Sequence, residues 1–280
     1  MVVAVFGASG KFGRFVVEDL REHGYRVVGF DRAAGDGVVA IDMRDYGQVA
    51  EAIQGVDERH EGVDAVVHLA AIPAPGLATD ATTFHNNVPA TYNVFKAAAA
   101  AGVRNVVWTS SETTLGLPMG PDNPPPYLPV DEDVLRPETT YALGKHLEEA
   151  LAEQFARWHP GMKLIGLRLS NVMRPEDYAA FDGWQDDPLV RIWNVWGYID
   201  GRDGAQAVRL ALESGITGFE RFIIANSDTV MRAPSAELAD RYLPDVPRTR
   251  EIVGRETLLS IEKARRLLGY EPAHNHYGRP

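Results

Sequence analysis

The sequence contains no cysteine, which excludes disulfides, thiolate nucleophiles and cysteine-ligated metal sites. It has no apolar run near the roughly 20 residues that a membrane span requires, so no membrane partner is expected. The 28 Lys and Arg are outnumbered by 39 Asp and Glu, and the net charge of −11 argues against nucleic-acid partners. The histidines show no ligand spacing, so no metal is expected. An apolar opening segment in place of a basic leader predicts a cytoplasmic protein.

What the chain does contain is the composition of a globular protein, with 280 residues, 45% of them hydrophobic and 24% charged. Short β-branched runs alternate with helical patterns, which predicts βαβ units. The predicted strands cover residues 2–6, 26–30, 38–41, 65–69, 105–108 and 164–169. The expected fold class is therefore α/β, a Rossmann-type doubly wound parallel sheet over residues 1–172. Residues 173–280 are expected to form a small C-terminal substrate-binding lobe, interleaved with late core elements.

A glycine-rich turn follows the first predicted strand directly and opens a helix. Gly7, Gly10 and Gly13 let the backbone turn tightly, approach a pyrophosphate and offer it the N-terminus of a helix. A glycine-rich turn without a ligand is the alternative interpretation. The strand before it and the helix after it favour a dinucleotide site.

A carboxylate is expected to select the cofactor. Asp31 ends the second strand about twenty residues after the glycines, where it can accept both ribose hydroxyls of the adenosine. It would repel a 2′-phosphate, so NAD is favoured over NADP, although the nearby cations Lys11 and Arg32 partly offset that repulsion. Asp42 and Met43 suit an adenine amino group and ring, and a solvated turn is the alternative there.

Tyr141 and Lys145 are four residues apart on a predicted helix and therefore share one face. To act as a base near neutral pH, a tyrosine with a pKa near 10 must be shifted by roughly 3 units, about 4 kcal/mol, and a lysine charge can supply that field. Ser111, at the end of the fifth strand, can hold a substrate oxygen within reach. Alone, the Tyr-x-x-x-Lys spacing also fits a solvated helix face.

Several motifs at matching positions carry a family resemblance. They are GASGKFG at 7–13, Asp31, HLAA at 68–71, NNVPATYNV at 86–94, Thr109-Ser110-Ser111, YALGK at 141–145 and RLSNV at 168–172. Together they resemble the extended short-chain dehydrogenases/reductases, the NAD-dependent epimerase/dehydratase family. The layout is most similar to that of the uronate and aldose dehydrogenases.

The resemblance implies roles for particular side chains. It selects Ser111 rather than Ser110 as the catalytic hydroxyl, places Lys145 on the nicotinamide ribose, and puts Asn87 in a helix beside the site. Together with the motifs above it predicts a catalytic set of Ser111, Tyr141 and Lys145. The predicted cofactor contacts are Gly7, Ser9, Gly10, Lys11, Phe12, Gly13, Asp31, Arg32, Asp42, Met43, Leu69, Ala70, Ala71, Asn87, Tyr141 and Lys145.

The residues after Ser111 bear on the reaction. By resemblance, 4,6-dehydratases carry an Asp-Glu pair there, whereas this chain has Glu112-Thr113, which argues against dehydration. Uronate dehydrogenases carry Asn-His, and a carboxylate at that position would repel a uronate. Loops at 116–136 and 173–187 are expected to cover the site. The predicted substrate contacts are Ser111, Glu112, Thr113, Asn171, Arg174, Arg191 and Trp193, with a surface arginine as the alternative for Arg191.

The sequence thus predicts an NAD-dependent oxidoreductase that transfers a hydride between a sugar or related small carbinol substrate and the nicotinamide. A nucleotide-sugar epimerase that retains its NAD is the alternative, and an idle dinucleotide-sensing protein is a third. Only 111 residues run from Ser170 to Pro280, which favours a small substrate. By resemblance, a homodimer is expected through the helices that follow the fourth and fifth strands.

Overall fold

A computed structural model describes residues 1–56 and 59–278 of the chain. Its strands are β1 (Val2–Phe6), β2 (Arg26–Asp31), β3 (Val38–Ala40), β4 (Ala65–His68), β5 (Asn105–Ser111), β6 (Lys163–Leu169), β7 (Val172–Met173), β8 (Ile199–Asp200) and β9 (Gly218–Ile224). Its α-helices are α1 (Lys11–Glu22), α2 (Tyr46–Gln54), α3 (Asp80–Ala100), α4 (Thr140–Trp158), α5 (Gly201–Glu213), α6 (Ser235–Tyr242) and α7 (Glu262–Leu268). Short 3-10 helices cover Glu112–Leu115, Pro175–Ala180, Asp182–Trp184 and Pro188–Asn194.

A seven-stranded sheet carries the fold, with the strand order β3-β2-β1-β4-β5-β6-β9. The pairs β1–β2, β1–β4, β2–β3 and β4–β5 are parallel. The chain builds outward from β1 to β3 and then returns to place β4 on the other side of β1. The predicted doubly wound α/β sheet is confirmed, and its strand order reverses between β1 and β4, where such sheets bind ligands.

The chain divides into two compact units. The first unit holds residues 1–110, 139–167 and 208–221, and the second holds residues 111–138, 168–207 and 222–280. Residues 111–138, which the sequence assigned to the 1–172 core, thus belong to the second unit. The Gly7 turn, Asp31, Tyr141 and Lys145 all lie in the first unit, and every predicted substrate contact lies in the second.

The core of the first unit is aromatic. Phe95 packs edge-on against Trp108 at 5.0 Å between ring centroids, and Phe155 meets Phe95 at 5.8 Å. Gly166 lies under the Trp108 ring, where a Cβ would come within 2.8 Å of it. These contacts fix α3 and α4 against β5 and β6 within this unit, and so fix the helix that carries Tyr141.

The second unit includes the small parallel β7–β8 sheet, the 3-10 helices, and the helices α6 and α7. Phe181 is fully buried and packs against Tyr178, Tyr198 and His276 at 5.1 to 5.2 Å between centroids. The segment predicted as a loop at 173–187 therefore contains two 3-10 helices, and its aromatic side chains pack into a cluster. Among the described residues, none of the helices is both long and apolar enough to cross a membrane.

Candidate active site

The turn after β1 is shaped for close approach of backbone to backbone. Gly7 has a φ of +86°, and a Cβ there would lie 2.7 Å from the Ala70 nitrogen. A Cβ on Gly13 would lie 2.0 Å from the Gly7 oxygen. Gly10 is the N-cap of α1 and supplies no side-chain cap, so the first N–H groups of the helix face a bare turn. This turn fits the diphosphate of a dinucleotide, which binds uncapped helix N-termini.

Asp31 lies against this turn at the end of β2. Its Oδ2 accepts a hydrogen bond from the Ser9 backbone N–H at 3.0 Å, and its Oδ1 accepts one from the Arg32 N–H at 2.7 Å. The carboxylate is therefore oriented by the backbone, as a ribose-binding carboxylate must be. The side chains of Lys11 and Arg32 are exposed nearby in sequence.

The segment after β3 is fixed by a residue that the sequence reading overlooked. Arg44 donates to both oxygens of Asp42, at 2.9 and 2.7 Å, and these hydrogen bonds hold the pKa of Asp42 below its ordinary range. Asn93 of α3 donates to the carbonyl of Met43 at 3.1 Å. Asp42 is thus already paired with a cation that lies in its own turn.

The segment after β4 contributes Leu69, Ala70 and Ala71, all partly buried. Asn87 of α3 forms two hydrogen bonds with the backbone of Ile72 in this segment. Its Oδ1 accepts from the Ile72 N–H at 2.8 Å and its Nδ2 donates to the Ile72 carbonyl at 3.0 Å. Asn87 thus lies in a helix and bonds to the backbone of this segment, and its predicted contact with the cofactor stays a prediction. It fixes the strand end that packs over Gly7.

Tyr141 and Lys145 lie in the first two turns of α4. Thr139 caps this helix by accepting from the Ala142 N–H at 3.1 Å. The Lys145 Nζ lies 6.0 Å from the centroid of the Tyr141 ring, so the two share one face as predicted. Both side chains are buried, at 7% and 3% exposure, which excludes the solvated helix face as an alternative.

Lys145 is held by two groups of the first unit. Its Nζ donates to the Thr109 carbonyl of β5 at 2.8 Å and to the Glu148 Oε2 at 2.9 Å. Burial is the largest single influence on Lys145 and acts to lower its pKa, but the charges of Glu148, Tyr141 and Glu149 and the hydrogen bond to Glu148 together outweigh it, and the pKa is raised. The ammonium therefore stays charged although it is buried.

The two serines at the end of β5 have different partners. The Ser110 hydroxyl donates to Glu149 of α4 at 2.6 Å. The Ser111 hydroxyl accepts from the Thr113 N–H at 3.2 Å and from the Thr113 hydroxyl at 3.0 Å, and so begins the 3-10 helix Glu112–Leu115. Ser110 is thus bound to a structural carboxylate, whereas Ser111 has its own proton left to donate.

Glu112 is buried within the second unit at 3% exposure. Its carboxyl accepts from the Ser170 hydroxyl at 2.6 Å and from the Asn194 amide at 3.1 Å. Burial raises its pKa to about 7, against the opposing effect of those hydrogen bonds, of Arg191 and of the Asn171 N–H. A carboxyl with such a pKa is partly protonated at neutral pH, so the predicted repulsion of a uronate is weakened.

Arg191 is buried, at 4% exposure, which excludes the alternative that it is a surface arginine. Its guanidinium lies 4.5 Å from the Trp184 ring centroid and 5.1 Å from that of Trp193, and it donates to the Gly197 carbonyl at 2.9 Å. Arg174, by contrast, is exposed and forms an ion pair with Asp177 at 3.0 Å.

Comparison with known proteins places this architecture in a family. The model of the NAD dependent epimerase/dehydratase family matches residues 3–184. The chain belongs to this family. The resemblance that the glycine turn, Tyr141 and Lys145 carried in the sequence is therefore confirmed.

Relatives of this family member include both dehydrogenases and epimerases. An L-arabinose 1-dehydrogenase (NAD(P)(+)) of Haloferax volcanii is 28% identical, over 86% of this chain and 95% of its own length. A UDP-glucose 4-epimerase of Corynebacterium glutamicum is 26% identical, over 98% and 92%. The crystal structure of a short-chain dehydrogenase/reductase superfamily protein from Agrobacterium tumefaciens with bound NAD is 25% identical, with a TM-score of 0.73 over 98% and 93%.

Sequence reasoning missed the buried carboxylates of this epimerase/dehydratase family member. Glu148 and Glu149 lie on the same helix as Lys145, and acidic side chains on a helix usually face solvent. The signal that could have found them is their position three and four residues after Lys145, on the same helix face. Arg44 was missed because its partner Asp42 was assigned to an adenine.

Proposed function

We propose that this protein is an NAD-dependent oxidoreductase acting on a sugar or a related small carbinol. The observation that carries the proposal is the buried pair of Tyr141 and charged Lys145, in the same unit as the Gly7 turn and Asp31. A buried ammonium beside a phenol favours the phenolate, which is the base that carbinol oxidation needs. The family membership and the L-arabinose dehydrogenase relative support the same activity.

The residues would divide the work as follows. When NAD is bound, its nicotinamide accepts the hydride that leaves the carbinol carbon. Tyr141 takes the hydroxyl proton, so that the carbinol becomes a carbonyl. The Ser111 hydroxyl would donate a hydrogen bond to the same oxygen and orient it, and would keep its own proton. Lys145 has three N–H donors, of which the Thr109 carbonyl and Glu148 use two, and the third is proposed to hold the nicotinamide ribose.

The remaining predicted contacts are proposed to hold the two ligands. On the cofactor side, the diphosphate would lie on the turn from Gly7 to Gly13, and the adenosine ribose on Asp31. NAD is proposed over NADP because the backbone-oriented Asp31 carboxylate would repel a 2′-phosphate. On the substrate side, Thr113, Asn171 and Trp193 are proposed to line the pocket. Arg191 and Glu112 are both buried and would position the residues that line the pocket.

The test is a screen for NAD reduction across aldoses, uronates, sugar phosphates and nucleotide sugars, followed by the absorbance of NADH. We expect turnover of a small aldose or related carbinol, and loss of 10²-fold or more in kcat with Tyr141→Phe, because the base is removed. Reduction that survives Tyr141→Phe unchanged would refute the assignment of the base.

A nucleotide-sugar epimerase is the second candidate, because the UDP-glucose 4-epimerase relative covers 98% of the chain. An epimerase must keep its reduced cofactor until the hydride is returned, whereas a dehydrogenase exchanges it. The discriminating measurement is the NAD content of the protein after gel filtration. Stoichiometric NAD, with interconversion of nucleotide sugars and no net NADH, would favour the epimerase.

A homodimer through α3 and α4 is part of the proposal. These helices expose large apolar side chains, namely Tyr92 at 42%, Leu143 at 42% and Trp158 at 52% exposure, and a second copy would cover such groups. Light scattering should give twice the chain mass of 30.8 kDa. A mass near that of one chain would contradict it.

A cytoplasmic location is also proposed. The absence of cysteine means that the fold has no need of an oxidising compartment. Fractionation of cells that express the tagged protein is the test, and recovery with the envelope fraction would contradict the proposal.

A further inference from the structure

A buried carboxylate contacts Lys145, and the proposed mechanism makes no use of it. Glu148 lies three residues after Lys145 on α4, is 0% exposed, and accepts from the Lys145 Nζ at 2.9 Å. Both partners of this ion pair are buried, with side-chain exposures of 3% and 0%. Bringing two charges out of water costs several kcal/mol per ion, so a pair of this kind needs a reason beyond stability.

The groups that face this ion pair come from four elements. On α4 itself they are Tyr141 and Glu149, and both act on the charge of Lys145. From β4 comes His68, whose pKa burial lowers to about 3, with Lys145 as a further cause, so this ring is neutral. From β5 comes the Thr109 carbonyl, and from α3 comes Thr91, which acts on the charge of Glu148 and whose hydroxyl bonds the His68 ring at 3.1 Å.

The electrostatic potential at Tyr141 is therefore the sum of the positive charge of Lys145 and the opposing negative charges of the glutamates beside it. Lys145 favours the phenolate, and Glu148, in direct contact with the ammonium, opposes it. Glu149 acts in the same direction as Glu148 but contributes less to the charge state of Lys145. At a buried site the effective dielectric constant is about 20 rather than 80, so a unit charge several ångströms away still changes an ionisation by about one pH unit.

We infer that Glu148 is a positioning residue, which fixes the Lys145 ammonium against the Thr109 carbonyl and sets the pH at which Tyr141 gives up its proton. Without its carboxylate, the Lys145 charge would act on Tyr141 uncompensated, and the phenol would ionise at a lower pH. The use of that phenol as a base rests on the proposed function, whereas the coupling of the three side chains does not.

The test is a titration of tyrosinate by ultraviolet absorbance in the protein without ligands. The chain has 10 tyrosines, so the curve of each Tyr141→Phe variant is subtracted from that of its parent to isolate Tyr141. We expect Glu148→Gln to lower the Tyr141 midpoint by about one pH unit, a tenfold change in its ionisation constant. Glu148→Leu should shift it in the same direction, and serves if Glu148→Gln does not fold, as judged by circular dichroism.

Two further variants define the controls. Glu153→Gln removes the same charge from an exposed position on the same helix, and should leave the midpoint in place because water screens it. Glu148→Asp keeps the charge and should return the midpoint toward that of the wild type. An unchanged midpoint in both Glu148→Gln and Glu148→Leu, or an upward shift that shows Lys145 to have lost its proton, would overturn the inference.

Kinetics separate this inference from the proposed function. If the substrate screen finds turnover, the acidic limb of the kcat/KM profile should move to lower pH in Glu148→Gln by the same amount as the tyrosinate midpoint. A shifted midpoint with no turnover on any substrate would leave the coupling standing and the proposed oxidoreductase refuted. Turnover in which neither the acidic limb nor the tyrosinate midpoint moves would support the proposed oxidoreductase and refute the coupling of Glu148 to Tyr141.

Discussion

Glu112 is a single buried carboxyl whose partners come from distant parts of the chain. Ser170 and Asn171 follow β6, and Asn194 ends the 3-10 helix Pro188–Asn194, so one side chain joins three segments of the second unit. The sequence placed this residue in the substrate pocket because it follows Ser111. Its hydrogen bonds show that it also joins the segments around that position, and its contact with the substrate stays a prediction.

The pKa of Glu112 makes a prediction about stability. Burial raises it from 4.5 to about 7, so the folded protein binds this proton more tightly than the unfolded chain does. The free energy of unfolding must then fall as pH rises from 4.5 to 7, by on the order of 3 kcal/mol from this group. Glu112→Gln, which mimics the neutral acid, should lose this dependence.

Urea unfolding of the wild type and Glu112→Gln at several pH values between 4.5 and 8 measures the difference. Glu176→Gln is the control, because that carboxyl is 63% exposed and should leave the pH dependence unchanged. Parallel curves for wild type and Glu112→Gln would show that Glu112 ionises as an ordinary glutamate.

Asp31 makes a prediction about the choice of cofactor. Its two oxygens are oriented by the Ser9 and Arg32 backbone N–H groups, which hold the carboxylate charge at the place proposed for the adenosine ribose. Asp31→Ser should weaken NAD binding and strengthen NADP binding, since the repulsion of a 2′-phosphate disappears. Calorimetric titration with both nucleotides measures the ratio of their Kd values, and an unchanged ratio would contradict the role of Asp31.

At the scale of elements, Lys163 supports the end of α5. Its ammonium, at the start of β6, donates to the carbonyls of Ala211, Leu212 and Ser214 at 2.8 to 2.9 Å. The last carbonyls of a helix have no partner within the helix. A buried cation can accept this role by donating hydrogen bonds to them, and it interacts favourably with the negative end of the helix dipole. The apolar stem of the lysine crosses the edge of the core to reach them.

Lys163→Met keeps that stem and removes the three hydrogen bonds. We expect a loss of about 1–3 kcal/mol in the free energy of unfolding, because three hydrogen bonds to a charged donor are lost, although the Ser214 hydroxyl and the Asn105 amide still donate to the Ala211 and Leu212 carbonyls. Lys96→Met, at an exposed position of α3, should stay within about 0.5 kcal/mol of the wild type. Equal losses in the two variants would show that Lys163 adds no more than a surface lysine does.

Elements with strong local patterns could be predicted from the sequence. The strands β1, β2 and β4 were recognised within about a residue, since β-branched repetition is a local property. The 3-10 helices between Pro175 and Asn194 were missed. The first two of them are joined at Phe181, which packs against His276, a partner nearly a hundred residues away that no local pattern records.

The candidate site divides in the same way at the scale of the whole molecule. The sequence could predict that Tyr141 and Lys145 share a helix face and that the glycine turn follows β1, because each depends on a short local spacing, and their cofactor contacts stay predictions. The charges that tune the site could not be predicted, because Glu148 and Glu112 are recognised only through the groups that enclose them. Substrate specificity depends on contacts between residues that are distant in the chain. The sequence therefore predicts the type of reaction but not the substrate.

NAD binding should stabilise the whole protein through the Gly7 turn. A ligand at 100 times its Kd adds about 2.7 kcal/mol to the free energy of unfolding, which predicts a rise of several degrees in Tm without any substrate. Gly10→Ala should abolish this rise. Gly10 has a φ of −64° that alanine also adopts, and its Cβ would meet only the Gly7 oxygen at 3.2 Å, so the variant should fold. Its methyl group, however, would stand at the N-terminus of α1, where the diphosphate must approach. A full Tm rise in Gly10→Ala would mean that the dinucleotide binds elsewhere.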